Sequence, residues 1–406
     1  MTQKSKLYSL IRPDAFLFCF GIDLPISFIT LYAEDLYAPI FGLSKAYVMG
    51  MPISISMLFT TVAFLVGGYW IDRKGWQQSH FWGILLAGSA QVISGISPSI
   101  ELYILSRALY GFGYGLVFMS YMGFVYTNTG EENRTTGFAT MSAGMYSGSI
   151  CGGAVGGMLA ERFGFQNVFF MAAFFTLITI GYTILFMQKT YYYPEKIREN
   201  NKPRSYKTNL KLIFRFVTNR NIISLLVLLS LPAAVTLIGI LYYISPIYLD
   251  RMGTSQANIA RILMINGVFM IYISPLLGPL MDKTKDKRIY IIISGLIGGS
   301  GMLCFLFFKG VWAIVFVIFI LSFAAAIGHS ARTVYALQQN IVTEIGAGQA
   351  MSLYRAIDRI GCLLGPLVLS VILASGEIEK GLSMIGLIYI VLTLLFVFVS
   401  KKEVET

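Results

Sequence analysis

The chain has 406 residues, of which 56% are hydrophobic and only 13% charged, whereas a soluble domain is about 25% charged. That composition excludes an ordinary water-soluble globule. The net charge of +11 raises nucleic acid as a partner, but the placement of the charge, set out below, excludes that class as well.

A membrane helix needs roughly 20 predominantly apolar residues. The chain offers about twelve such stretches: 14–36, 46–71, 78–98, 101–127, 134–160, 166–189, 220–249, 256–281, 288–308, 312–338, 347–375 and 381–400. The first is too long, and with Asp23 and Pro25 too polar in its middle, to be a cleaved signal peptide. With both ends inside, the cytoplasmic segments hold about 21 Lys and Arg and the external segments about six. That asymmetry is the positive-inside rule, so the basic charge is topological. The expectation is a multi-pass inner-membrane protein, monomeric, with both termini cytoplasmic. All four cysteines, Cys19, Cys151, Cys304 and Cys362, fall in apolar runs without CxxC pairing. They read as small core residues rather than disulfides, metal ligands or nucleophiles.

The stretch from Lys189 to Arg220 is the only long hydrophilic segment, and its charge and prolines make it a linker. The expected organisation is an N-terminal six-helix bundle over 1–189, a cytoplasmic linker over 190–219 and a C-terminal six-helix bundle over 220–406. Within the linker, apolar residues at helical spacing over 209–217 predict a short helix along the membrane surface. The halves also repeat one another. Gly68-Tyr-Trp-Ile-Asp72-Arg73-Lys74-Gly75 returns about 210 residues later as Gly278-Pro-Leu-Met-Asp282-Lys283. Gly148 and Gly153 have counterparts in Gly361 and Gly365 at a matching offset. A membrane module built twice is a common plan for transporters.

These features resemble the major facilitator superfamily over essentially the whole chain. Its loop signature between the second and third helices, G-x-x-x-D-R-x-G-R/K-R/K, is matched by Gly68, Asp72, Arg73 and Gly75, while Trp76 and Gln77 replace the final basic pair. Its fourth-helix pattern R-x-x-x-G-x-G stands here as Arg107, Gly111 and Gly113. Gly144, Gly148, Gly152 and Gly153 look like its antiporter signature, with Ser149 where the usual proline would be. The resemblance implies an all-α integral membrane fold of twelve transmembrane helices in two pseudo-symmetric six-helix bundles, working by alternating access.

Asp72 and Arg73, with Gly68, Gly75 and Asp282, are expected to form a conformational latch, the acid accepting at a helix terminus and the arginine bonding carboxylates or carbonyls. The alternative is a topology anchor around a tight turn. Gly144, Gly148, Gly152 and Gly153 have the small-xxx-small spacing that brings membrane helices close, with a role in gating beside that packing. Ionisable residues inside apolar runs carry the functional argument, because each costs about 2.5–3.5 kcal/mol or more at a helix centre. Asp23 and Arg107 are such residues in the first half. In the second, Arg355, Asp358 and Arg359 share one stripe, and His329 and Arg332 lie three apart. For the trio the competing view is an internal salt bridge, for Arg332 snorkelling to the membrane surface, and for His329 a hydrogen-bonded core position. Gln91 and Asn266 read as interhelical glue.

The chain has no G-x-x-x-x-G-K-[ST], H-E-x-x-H or G-x-S-x-G motif, so neither an ATP-driven step nor an enzyme has a basis. The reading is secondary active transport of a small solute, with no cofactor and protons as the coupling ion. Asp23, Arg107, His329, Arg332, Arg355, Asp358 and Arg359 are the expected substrate- or proton-binding residues. Buried arginines outnumber buried acids, which favours an organic anion or zwitterion, since an arginine takes a carboxylate by two parallel bonds. A proton-driven multidrug exporter is the alternative, and a transporter-fold sensor is a further one.

Overall fold

The computed structural model describes residues 10–40, 42–128, 134–187, 210–273, 276–277, 284, 286–345 and 347–400. Among these residues the chain is helical throughout, without a strand. Nine helices among them are long and apolar enough to cross a membrane, ten if one bent pair counts as a single span.

The bent pair is the first run. Helix α1 (Ile11–Asp23) passes through a 3-10 turn, Leu24–Ser27, into α2 (Ile29–Asp35), with a bend of 47°. Pro25 explains the break, because it has no N–H to donate and its ring crowds the preceding turn. Asp23 is the last residue before it, already outside helical geometry at φ −98°, ψ 2°. Gln91 Nε2 donates to the Ile22 carbonyl at 2.9 Å, satisfying an acceptor beside the break.

The chain continues as α3 (Lys45–Lys74), α4 (Trp76–Ile96), α5 (Ile100–Asn128), α6 (Arg134–Phe163) and α7 (Phe165–Met187). Gly75 separates α3 from α4 with φ +80°, a left-handed conformation that glycine adopts without steric cost. The helix predicted over 209–217 is α8 (Leu210–Thr218).

One span, Arg220–Arg251, runs unbroken for 32 residues. It consists of α9 (Arg220–Leu225), α10 (Leu231–Ile238) and α11 (Ser245–Arg251), joined by π-helical stretches at Leu226–Ser230 and Gly239–Ile244. Each wide turn directly precedes a helix that has proline in its first turn, Pro232 or Pro246. The wider turn takes up the missing donor and the ring without breaking the helix. Then follow α12 (Gln256–Val268), α13 (Arg288–Met302), α14 (Val311–Leu337), α15 (Ile341–Ile345), α16 (Ala347–Ser375) and α17 (Ile378–Val399).

The chain divides into two compact units. The first comprises Met1–Phe41, Met51–Tyr206 and Ser255–Met264, the second Gly42–Gly50, Lys207–Thr254 and Ile265–Thr406. In the first, α1 packs on α6 and α7, and α4 on α5 and α7. Ile11, Phe18, Ile84, Val117 and Phe124 fill its core. In the second, α10 packs on α16, and α13 on α14 and α17, around Phe216, Leu229, Ile291, Tyr335 and Phe396. The glycines of the repeat occupy corresponding contacts. A Cβ on Gly148 would lie 2.3 Å from the Phe16 carbonyl oxygen of α1, and one on Gly361 would lie 2.7 Å from Ala234 of α10.

Candidate functional site

In the first unit the break in the first helix brings Asp23 against α5. Asp23 is 6% exposed and Arg107 only 2%. Tyr110, one turn after Arg107 on the same face, links them. Its hydroxyl donates to Asp23 Oδ1 at 3.2 Å, and the Arg107 guanidinium lies over its ring, 3.6 Å from the centroid. Ser149 of α6 is a second hydrogen-bond partner of the Asp23 carboxyl, and the Arg107 charge acts on that carboxyl too. Arg107 Nε and Nη1 are both buried without a hydrogen-bond partner among the described residues. Taking a charge out of water costs several kcal/mol unless partners replace the lost hydration. These two donors are therefore free to take an acceptor.

Close helix packing positions the pair. A Cβ on Gly111 would stand 2.0 Å from the Ser56 carbonyl oxygen of α3, and one on Gly113 would stand 2.6 Å from the Ala87 nitrogen of α4. Thr60 Oγ1 donates to the Gly111 carbonyl at 3.0 Å. The two glycines thus seat α5 against α3 on one side and α4 on the other. On α6, Gly144, Gly148 and Gly152 face the carbonyls of Arg12, Phe16 and Phe20, and Gly153 faces Ile26. That run of glycines brings α6 onto α1 and presents Ser149 to Asp23.

In the second unit α14 and α16 bring an arginine and a histidine together. Arg355 Nη1 is 2.8 Å from His329 Nε2. A guanidinium can only donate, so this nitrogen accepts and the ring proton sits on Nδ1. The stripe on α16 therefore reaches across to α14 rather than closing only on itself. Arg332 does not snorkel outward. It is 7% exposed and hydrogen-bonds Tyr354 and Tyr389, with the Asp358 charge acting on it. Tyr354 in turn meets Ser230 at 3.1 Å. Asp358 and Arg359 are both half-buried. Asn266 Nδ2 donates to Ser322 at 3.3 Å.

The expected latch is described in part. Gly68 lies beside Met119. Arg73 is exposed and its guanidinium lies over the Tyr69 ring of its own helix at 4.2 Å. Asp72 belongs to α3, but its side chain lies outside the described residues, as does all of Asp282.

Sequence reasoning does not single out Tyr110 or Ser149 as a binding residue. Tyr110 lies i+3 from Arg107, a spacing that could draw attention to it. Ser149 stands out only as a replaced proline. No group of three or more metal-ligating side chains occurs among the described residues.

The major facilitator superfamily model matches residues 15–366. Among curated proteins, the chain is 27% identical over 363 residues to the multidrug resistance protein MdtG of Salmonella choleraesuis (strain SC-B67), covering 87% of this chain and 85% of the relative. MdtG of Salmonella arizonae matches with the same identity and coverage. Among solved structures, the fold is similar to that of a peptide transporter POT in complex with sulfate, with TM-score 0.74, 16% identity and 98% of each chain covered. A POT family transporter in complex with 5-aminolevulinic acid superposes with TM-score 0.71 at 14% identity, over 98% of this chain and 96% of the other. With the family model spanning most of the chain, and a helical membrane fold that carries buried charge at a broken helix, the protein belongs to the major facilitator superfamily of membrane transporters.

Proposed function

We propose that the chain is a proton-coupled secondary transporter of small organic anions or zwitterions, working by alternating access in the inner membrane with both termini cytoplasmic. The observation that carries this reading is the buried Arg107 guanidinium, which has two unpaired donors and Tyr110 between it and Asp23. A carboxylate is a charge-matched acceptor for these unpaired donors. It also neutralises the cation that balances the Asp23 carboxylate, so the solute anion and a proton on Asp23 bind cooperatively. Solute and proton then cross in the same step.

A second reading has support in the relatives, which are named for multidrug resistance. A lipophilic cation would pair with the Asp23 carboxylate and compete with the proton, which is the sign required for exchange. Proton uptake or release on ligand binding separates the two. Purified protein in weakly buffered detergent is mixed with carboxyfluorescein, as an acidic probe, and with tetraphenylphosphonium, as a cationic one. Proton uptake with the acidic probe supports the anion reading. Proton release with the cation, and no binding of the acid, overturns it in favour of cation export.

A further inference from the structure

A second ionisable cluster lies in the first unit, away from Asp23. Asp14 on α1 is fully buried, and His80 on α4 is 1% exposed. His80 Nε2 is 3.2 Å from Asp14 Oδ2. The same carboxylate accepts from Tyr121 of α5 at 2.9 Å through Oδ2 and from Thr183 of α7 at 2.7 Å through Oδ1. On the other side of the ring, His80 Nδ1 meets Ser120 Oγ at 2.9 Å. The other titratable groups around the pair are Cys19 on α1, Tyr121 on α5 and Tyr182 on α7. His80 is the only ion-pair partner of Asp14 among the described residues.

The hydroxyl count makes this cluster more than a structural bond. Ser120 has one hydroxyl proton but two acceptors in reach: the Val117 carbonyl at 2.6 Å and His80 Nδ1 at 2.9 Å. If the hydroxyl turns to Nδ1, the ring is neutral and donates through Nε2, which has Asp14 Oδ2 at 3.2 Å and Thr183 Oγ1 at 3.1 Å as acceptors, the Thr183 proton going to Asp14 Oδ1. If it turns to the carbonyl, Ser120 Oγ becomes an acceptor, and Nδ1 must carry a proton to meet it. His80 is then an imidazolium paired with the Asp14 carboxylate. Both states satisfy every polar atom of the ring, and they differ by one proton and one hydroxyl rotation. A small cleft between α4 and α7, lined by Gln77, Phe81, Ile180 and Ile184, reaches His80 and Thr183.

We propose that the Asp14–His80 pair is a second proton-binding site of this transporter, which takes its proton on His80 Nδ1 as the Ser120 hydroxyl turns to the Val117 carbonyl. Binding adds one proton and converts a carboxylate beside a neutral ring into a neutral ion pair, with no leaving group. The site lies apart from Arg107 and Asp23, so it stands whether the solute is an anion or a cation.

The chain has only two histidines, His80 and His329, so nitrogen-15 NMR of histidine-labelled protein in micelles resolves the site, with His329→Gln assigning the His80 signals and His80→Gln assigning them by subtraction. We expect spectra of a pH series to show both forms of the His80 ring, one protonated on both nitrogens and one on Nε2 alone, exchanging by a single proton. Asp14→Asn, which removes the paired carboxylate, should lower the ratio of doubly to singly protonated ring at least about tenfold at a fixed pH. A ring that keeps one neutral tautomer across the series overturns the proposal. So does an imidazolium that never deprotonates, which would be a fixed ion pair. Both of these outcomes are measured on protein with Asp14 intact, so they hold even if Asp14→Asn fails to fold.

Discussion

The Tyr110 hydroxyl donates to Asp23 Oδ1 at 3.2 Å while the face of the same ring holds the Arg107 guanidinium. One side chain thus touches both charged groups of the site. Because the ring face attracts a cation and the hydroxyl edge favours an ionised carboxyl, movement of Tyr110 alters both charges together.

Replacing only the hydroxyl tests this link. Tyr110→Phe keeps the ring under Arg107 and removes the donor to Asp23. A hydrogen bond to a charged group contributes about 1.5–3 kcal/mol, so gradient-driven flux should fall roughly tenfold or more. Solute affinity, set by Arg107, should change by less than about threefold. Equal losses of flux and affinity in proteoliposome assays would mean that the ring, rather than the hydroxyl, is what matters.

The approach of α5 to α3 depends on Gly111. A Cβ there would meet the Ser56 carbonyl oxygen at 2.0 Å, and backbone at that range cannot turn aside. Gly111→Ala should lower the melting temperature of the purified protein, at an overpacking cost of about 1–3 kcal/mol. Gly181→Ala is the control, since nothing lies within 4 Å of its would-be Cβ. There the substitution should leave stability unchanged or raise it by about 0.5–1 kcal/mol, the helix-interior gain of alanine over glycine. Equal effects at the two positions would refute the packing account.

Helix α8 is held in the second unit by two unlike contacts. Arg215 makes a bidentate pair with Glu344 at 2.7 and 3.4 Å, and both side chains are about half exposed. Phe216 beside it is fully buried. Exposed pairs contribute about 0.2–1 kcal/mol, whereas truncating a buried phenylalanine costs about 3–5 kcal/mol. Phe216→Ala should therefore lower thermal stability well beyond Arg215→Gln. A double-mutant cycle of Arg215→Gln with Glu344→Gln should give a coupling under about 1 kcal/mol that shrinks as salt is added. A large, salt-insensitive coupling would show that the pair is shielded from solvent and holds α8 itself.

The contrast between legible and illegible features has physical causes. Runs of about 20 apolar residues announce helices because lipid leaves no other backbone solution, and α16 runs over the residues predicted for it. Asp23 and Arg107 stand out because charge in an apolar run is costly. Pro25, Pro232 and Pro246 each mark a disturbed turn, but composition does not tell which proline breaks its helix and which is taken up by a wide turn. Tyr110 is one of 24 tyrosines and amphipathic, so neither polarity nor rarity draws the eye to it. Asp14 lies at the margin of its apolar run and reads as a boundary residue until His80, Tyr121 and Thr183 are seen around it. Arg355 is three and four residues from Asp358 and Arg359, which favours an intrahelical reading. Its hydrogen bond instead goes to His329, 26 residues away in sequence, and only tertiary packing reveals such a pairing.

The charge of the solute rests on Arg107. In a low-dielectric site a buried cation is poorly screened, so a carboxylate relieves its cost on binding and a permanent cation adds to it. Arg107→Gln should weaken binding of an acidic ligand by at least about tenfold, the equivalent of about 1.4 kcal/mol. The same substitution removes two unsatisfied buried donors, so melting temperature should hold or rise. A guanidinium that served only to anchor α5 through the Tyr110 ring would give the opposite pattern, a loss of stability with affinity intact. Titrating carboxyfluorescein and tetraphenylphosphonium against the same two protein preparations, alongside their melting curves, separates these outcomes. Loss of the acid with retention of the cation supports Arg107 as the anion-binding group; a stable variant that still binds the acid at full strength removes it from that role.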